Sequence, residues 1–255
     1  MAKLIVLDPG HFKNHNRGAT AGYFEGNWML VYARYLEAEL KALGFDVLLT
    51  RYDGKDLSLT DRGRLAVRKK AELFYSLHSN ACSVPRVRRV TVFYSVDRPD
   101  DLAFAREIAN TVARVMGSPY GVATTRASTV HHSKPDPSTK EDYYTVIDTA
   151  SDGGVAHVLL TEHDFHTNPD VCRWLVQRLN LQKMAKAEAQ VIRKYLAGVG
   201  GQTPDKPAGT YHTVVRGDTL SAIGRKYGVP WRDIASKNGV TAPWIIRSGD
   251  VLLIQ

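Results

Sequence analysis

Along the first two thirds of the chain, apolar residues fall into two rhythms: short unbroken runs, and longer stretches where they recur every three or four positions. The runs Leu4 to Leu7, Asp46 to Thr50, Leu73 to Leu77, Val90 to Val96 and Val158 to Thr161 predict strands. The stretches Trp28 to Leu43, Asp61 to Glu72 and Asp100 to Met116 predict helices, the first stopped by Gly44 and the second capped by Thr60. In the third, Leu102, Ala105, Ile108, Ala109, Val112 and Val115 mark one face. A long final helix is predicted from Asn168-Pro169, with asparagine as cap and proline in the first turn, to near Leu196. Strand and helix alternate, which predicts an α/β domain with a mostly parallel sheet flanked by helices.

The pattern then changes. Gly198, Gly200, Gly201, Pro204, Pro207 and Gly209 predict a flexible linker over 198–209, with a typical span of roughly 20 Å. Beyond it, residues 210–255 read as a small βααβ domain. Val214 and Val215 form an edge, Thr219 caps a helix whose Leu220, Ile223 and Tyr227 share a face, and Pro230 opens a second helix.

Candidate chemistry lies where strands meet polar residues. Leu4 to Leu7 leads into Asp8-Pro9-Gly10-His11, Leu73 to Leu77 into His78-Ser79-Asn80, and Val158 to Thr161 into Glu162. Neighbouring parallel strands deliver their carboxyl ends to one rim, where ligands bind, so His11, His78 and Glu162 can converge. Two imidazoles and a carboxylate suit zinc, and Glu25, placed in the loop before the first helix, can complete the shell. Each histidine taken alone is more often a structural residue, and no H-E-x-x-H pattern is present. His163 and His166 flank Glu162, while Asp8 and Asp164 are candidates for holding a ligand imidazole by its free ring N–H. His131 and His132 fall in a polar segment, Ser128 to Asp142, that predicts a solvated loop.

Composition narrows the class. In 255 residues with 44% hydrophobic content there is ample material for a core, and no apolar run approaches the ~20 residues that span a bilayer. Met1-Ala2-Lys3 leads straight into the first strand without a signal-peptide apolar region, so synthesis in the cytoplasm is expected, with Cys82 and Cys172 as reduced thiols. A net charge of +8 steers polyanions, but no zinc-finger, RNP-type or basic-zipper pattern appears. Nucleic acid is therefore not the expected partner; other polymers carrying phosphate and carboxylate fit the charge.

Four ordered blocks carry a family resemblance: Ile5-Val6-Leu7-Asp8-Pro9-Gly10-His11, Phe24-Glu25-Gly26-Asn27, Leu77-His78-Ser79-Asn80-Ala81, and Leu160-Thr161-Glu162 through Asn168. Together, over about residues 1–197, they resemble the zinc-dependent N-acetylmuramoyl-L-alanine amidases, the type-3 peptidoglycan amidases. The resemblance implies His11, Glu25 and His78 as ligands of one Zn2+ and Glu162 as the catalytic carboxylate, moving a proton from water to the leaving amine. Asn80, His166 and Asn168 are carried as substrate contacts. Phe12 stands where a small glycine often follows the histidine, and Arg86 to Arg89 is unusually basic. The second domain, from Tyr211-His212-Thr213-Val214-Val215-Arg216-Gly217-Asp218-Thr219-Leu220 onward, resembles a LysM module. That implies binding of N-acetylglucosamine-containing glycan such as peptidoglycan at Gly217, Asp218, Thr219, Asn238, Gly239 and Val240. Trp231 and Trp244 are open between sugar stacking and core, and Gly224 replaces the usual alanine.

The reading that follows is a peptidoglycan hydrolase that cuts between the muramic lactyl group and L-alanine. A zinc peptidase or carboxypeptidase acting within the stem peptide, and a non-catalytic wall-binding protein, are its alternatives. Without a signal peptide, such an enzyme looks like a phage endolysin or a mother-cell autolysin of sporulation that reaches the wall on lysis, or a secreted protein whose precursor segment was trimmed.

Overall fold

The computed structural model describes residues 2–52, 54–128, 141–197, 210–215, 217–238, 240, 244, 246 and 251–254. His131, His132, Gly239 and the linker 198–209 lie outside the described residues. The chain divides into two compact units, residues 1–201 and 202–255.

The first unit runs β1 (Leu4–Pro9), α1 (Glu25–Ala42), β2 (Asp46–Leu49), α2 (Leu59–Arg68), β3 (Leu73–Asn80), β4 (Val90–Tyr94), α3 (Leu102–Met116), β5 (Gly121–Thr124), α4 (Thr145–Asp152), β6 (His157–Phe165), α5 (Pro169–Leu175) and α6 (Arg178–Leu196). The strands form one sheet in the order β2-β1-β3-β6-β4-β5. The first four in that order are parallel; β4 runs antiparallel to β6, and β5 parallel to β4. Apolar side chains cover both faces. Ile5, Leu7, Tyr75, Leu77 and Leu159 pack under α1, α3, α5 and α6, while Val6, Phe74, Val158 and Leu160 pack under α2 and α4. Strands buried on both sides have no polar alternation, which is why they read as continuous runs.

Several predicted boundaries move. Residues 81–89 are too few for a crossover, which needs a dozen or more, so β4 turns back antiparallel. β3 and β6 extend past their apolar runs, placing His78, Asn80 and Glu162 inside strands rather than in loops. Glu25 is the first residue of α1, not part of the loop before it. Ser58 caps α2 in place of Thr60, accepting from the Asp61 amide. The predicted final helix is two helices, because Gln177 is extended between α5 and α6.

The second unit pairs β7 (Tyr211–Thr213) antiparallel with β8 (Val251–Leu253), with α7 (Leu220–Tyr227) and α8 (Trp231–Lys237) between them. Its core holds Val214, Leu220, Ile223, Ile234, Ala235, Leu252 and Ile254. Among the described residues no helix is long and apolar enough to cross a membrane.

Candidate metal centre

The site begins with a turn held rigidly. After β1, the Gly10 amide donates to the Leu77 carbonyl (2.8 Å), and His11 takes a left-handed conformation, φ 55°. Two buried arginines clamp this turn. Arg62 donates to the Asp8 carboxylate (2.8 Å) and to the carbonyls of Pro9 (2.9 Å) and His11 (3.1 Å). Arg51 donates to the carbonyls of Pro9, Gly10 and Gly26, tying the turn to the start of α1. Gly10 lies against the His78 ring so closely that a β-carbon there would stand 2.2–2.6 Å from three ring atoms.

Glu25, 1% exposed, stands between the two imidazoles. Its Oε1 lies 2.9 Å from His78 Nδ1 and accepts from the Ser79 amide at 3.0 Å. Its Oε2 lies 3.5 Å from His11 Nε2 and accepts from Asn16 Nδ2 at 2.8 Å. One ligand atom each from His11, Glu25 and His78 fits within a mutual 4.8 Å. Burial works to raise the Glu25 carboxyl, but the hydrogen bond and charge of His78, the charge of His11 and the Asn16 contact outweigh it and hold the group at about 2. Burial lowers the His11 imidazole to about 4 against the pull of Glu25. An anionic oxygen flanked by two ring nitrogens is a donor set that fits a divalent cation such as zinc, with a fourth position left for another ligand.

One strand over, Glu162 on β6 is the register partner of His78 on β3, and Thr91 of β4 is its partner on the other side. Its Oε2 is shielded from solvent and has no hydrogen-bond partner among the described residues. Burial, reinforced by Glu25 and offset by His78, raises its carboxyl to about 7. Buried polar atoms are ordinarily satisfied, and this one lies beside the histidine–carboxylate cluster, which makes Glu162 a candidate functional group.

The other predicted residues have local roles. His166 is buried behind Glu25, its Nδ1 2.9 Å from both the Ser79 carbonyl and Ser79 Oγ, with its ring stacked on Tyr23. Asn168 caps α5, accepting from the amides of Asp170 and Val171. The Asn80 side chain accepts from the Ala81 amide. Asp8 is engaged by Arg62, Thr50 and Ser76, and Asp164 by Arg88, Arg89 and Ser118, so neither carboxylate supports a ligand imidazole. In the second unit, Gly217 takes φ 97° and the Asp218 carboxylate accepts from the Val215 amide and lies 2.8 Å from His212 Nε2. Thr219 caps α7. Asn238 donates to the Ile234 carbonyl, and the Val240 amide to the Ala235 carbonyl. Trp231 packs on the core whereas Trp244 is 47% exposed, the two rings meeting edge to face. A β-carbon at Gly224 would come within 2.6 Å of the Val229 carbonyl, so the helix-weakening glycine lets the turn after α7 close.

The family profile described as N-acetylmuramoyl-L-alanine amidase matches residues 5–194. The chain belongs to this family. A LysM domain profile matches residues 212–255. Among curated relatives, a probable cell wall amidase LytH of Staphylococcus epidermidis is 34% identical over 105 residues, 40% of this chain and 34% of the relative. The N-acetylmuramoyl-L-alanine amidase AmiA of Salmonella typhimurium is 31% identical over 109 residues, 42% of this chain and 37% of the relative. The matched region thus spans about a third of these relatives' length. Among solved structures, the catalytic domain of CwlV, an N-acetylmuramoyl-L-alanine amidase from Bacillus (Paenibacillus) polymyxa var. colistinus, superposes with a TM-score of 0.63 at 23% identity. The superposition covers 76% of this chain and 98% of that one and shows a shared fold.

In this amidase-family fold, the residues that sequence reading missed are those that hold the site from behind. Arg51 and Arg62 carry no motif; their signal is only that charged residues stand beside apolar runs. Less visible still is a buried network under the sheet. Glu188 of α6 lies 2.9 Å from His163 Nε2 and accepts from the hydroxyls of Tyr32 and Tyr75, while His163 Nδ1 lies 2.9 Å from the His78 carbonyl. It braces the backbone of β3 and β6 where His78 and Glu162 stand.

Proposed function

We propose that this chain is a zinc-dependent peptidoglycan amidase that hydrolyses the amide between the lactyl group of N-acetylmuramic acid and L-alanine. The observation that carries the reading is the convergence of His11, Glu25 and His78 with Glu162 in register on the next strand. His11, Glu25 and His78 would hold the cation. When bound, it supplies the Lewis acidity that makes an amide carbonyl and a water molecule reactive near neutral pH.

Glu162 does the proton work. With its carboxyl near 7 in the bare site, it is poised between base and acid: it accepts a proton from the attacking water and delivers it to the alanine nitrogen as the C–N bond breaks. Positioned proton transfer of this kind contributes roughly 10² to 10⁴ in rate. Residues 1–197 would form the catalytic domain, 198–209 a flexible linker and 210–255 the module that holds N-acetylglucosamine-containing glycan around Gly217, Asp218, Thr219, Asn238, Gly239 and Val240. Peptidoglycan is then both substrate and anchor. Asn80, His166 and Asn168 line or brace the substrate side.

The test is digestion of purified wall with and without a chelator, followed by mass spectrometry of the new ends. A free L-alanine amino group that appears only with metal present supports the amidase. New amino groups deeper in the stem would instead identify a peptidase, and no release at all would leave a wall binder.

A further inference from the structure

Beside the catalytic carboxylate lies a second feature that none of the four motif blocks contains. Arg126, just past the edge strand β5, spreads its guanidinium 3.5 Å from the ring centroid of Tyr143 and 5.5 Å from that of Tyr144, and donates to the Tyr144 hydroxyl at 3.3 Å. Tyr143 is 46% exposed and Arg126 is exposed as well. The pair is built rather than draped: the Tyr143 amide donates to the Arg126 carbonyl, Ala127 bridges to Asp142, and the Asp142 carboxylate is anchored by Ser95 and the Val96 amide. Among the described residues no carboxylate forms an ion pair with Arg126, whereas nearby Arg88 is paired with Asp164.

The sheet fixes which way this platform looks. The Tyr144 ring packs at a tilt against Phe93, two residues along β4 from Thr91, and Thr91 is the register partner of Glu162. Two strand residues span about 7 Å on one face, so the tyrosine pair flanks Glu162 on the β4–β5 side, opposite His11, Glu25 and His78. Arg126 is also close enough to act electrostatically on Glu162. In the proposed reaction the acyl oxygen faces the ligand cluster and the leaving nitrogen faces Glu162. The peptide attached to that nitrogen therefore leaves toward β4 and β5, over the tyrosine platform.

We infer that Arg126, held against the Tyr143 ring and bonded to the Tyr144 hydroxyl, forms a carboxylate-binding subsite that recognises an acidic residue of the stem peptide on the leaving-group side. A guanidinium offers a planar fork of donors that matches a carboxylate in two parallel hydrogen bonds. Stacking on an aromatic face leaves that fork open at its edge while reducing the freedom lost when it engages. This inference rests on the amidase reading above.

Two synthetic substrates separate the cases: N-acetylmuramoyl-L-alanyl-D-glutamic acid with both glutamate carboxylates free, and the same molecule with both converted to carboxamides. The wild-type protein, full length and zinc-loaded, is expected to favour the acid about tenfold in kcat/KM. In R126Q this preference is expected to fall to about one through loss on the acid substrate, and in R126K to be partly retained, with zinc content and thermal midpoint matching wild type. A wild-type enzyme that does not discriminate, or an R126Q protein that loses equally on both substrates, overturns the subsite. If the wild type releases no alanine-terminated peptide from either substrate, the amidase reading itself fails and the subsite with it.

Discussion

His78 and Glu162 face one another in register across the parallel strands β3 and β6, side by side on one face of the sheet. One is bonded to Glu25, and the other has an oxygen with no hydrogen-bond partner among the described residues. In the proposed reading the first belongs to a ligand set and the second to the chemistry performed next to it. Removing each should have a different consequence. Glu162→Gln is expected to retain stoichiometric zinc and lose roughly 10² to 10⁴ in turnover. His78→Ala should lose both metal and turnover. Equilibrium dialysis with metal analysis, run beside wall-digestion rates, checks this; equal metal loss in the two variants would refute the division of roles.

The bare carboxyl of Glu162 has a consequence for stability that is readable without metal. Its pKa is near 7 in the folded protein against 4.5 ordinarily, so between those values the folded state holds more protons than the unfolded one. Stability contributed by this group then falls as pH rises through that window. Glutamine has no proton to lose. In excess chelator, Glu162→Gln should melt with wild type near pH 4 and progressively above it toward pH 8. Thermal denaturation at pH 4, 5.5 and 8 measures the difference, and a gap that stays constant with pH would show that burial does not disfavour the charge.

The turn that presents His11 depends on Arg62, which satisfies the buried Asp8 carboxylate and two carbonyls at once. Breaking a buried pair from one side costs about 3–5 kcal/mol because the other charge is left unpaired. Arg62→Ala should therefore unfold at markedly lower denaturant and, where still folded, bind zinc more weakly. Gly10→Ala isolates the second effect, since the added methyl strikes the His78 ring rather than the core. It should weaken zinc binding by at least tenfold, measured by chelator competition, while changing the denaturation midpoint far less. A Gly10→Ala protein with normal zinc affinity would show that the ring can move aside freely.

Strands buried on both faces announced themselves as apolar runs, and so did the rim where His11 stands. What sequence could not reveal was decided by tertiary contact. Glu162 looked like the start of a loop because a polar residue followed an apolar run, yet β6 continues through it, held between β3 and β4. β5 and α4 are short, and α4 is made of Thr, Asp and Ser around Val146, Ile147 and Ala150, too brief a stripe to stand out. The break between α5 and α6 contains neither glycine nor proline at Val176-Gln177, so no local signal marks it. Glu188 was invisible for the same reason: a glutamate in an amphipathic helix reads as solvated until His163, Tyr32 and Tyr75 are seen around it.

The second unit has its own core of Val214, Leu220, Ile223, Ile234, Ala235, Leu252 and Ile254. If it holds wall glycan, its contribution to hydrolysis is one of local concentration: linking two binding events through a flexible tether raises avidity by 10² to 10⁴ without any new contact at the catalytic site. That gain exists only on a polymer that offers both a stem to cut and a glycan to hold. A protein ending at Ala197 is therefore expected to cleave small soluble muropeptides within about twofold of the full chain, and to clear intact walls at least tenfold more slowly at low enzyme concentration. Raising the enzyme should close the gap, because mass action substitutes for tethering. Turbidity clearance of walls and chromatography of a soluble muropeptide, run on both proteins, decide the matter. Equal loss on the two substrates would mean that residues beyond 197 contribute to the catalytic fold itself.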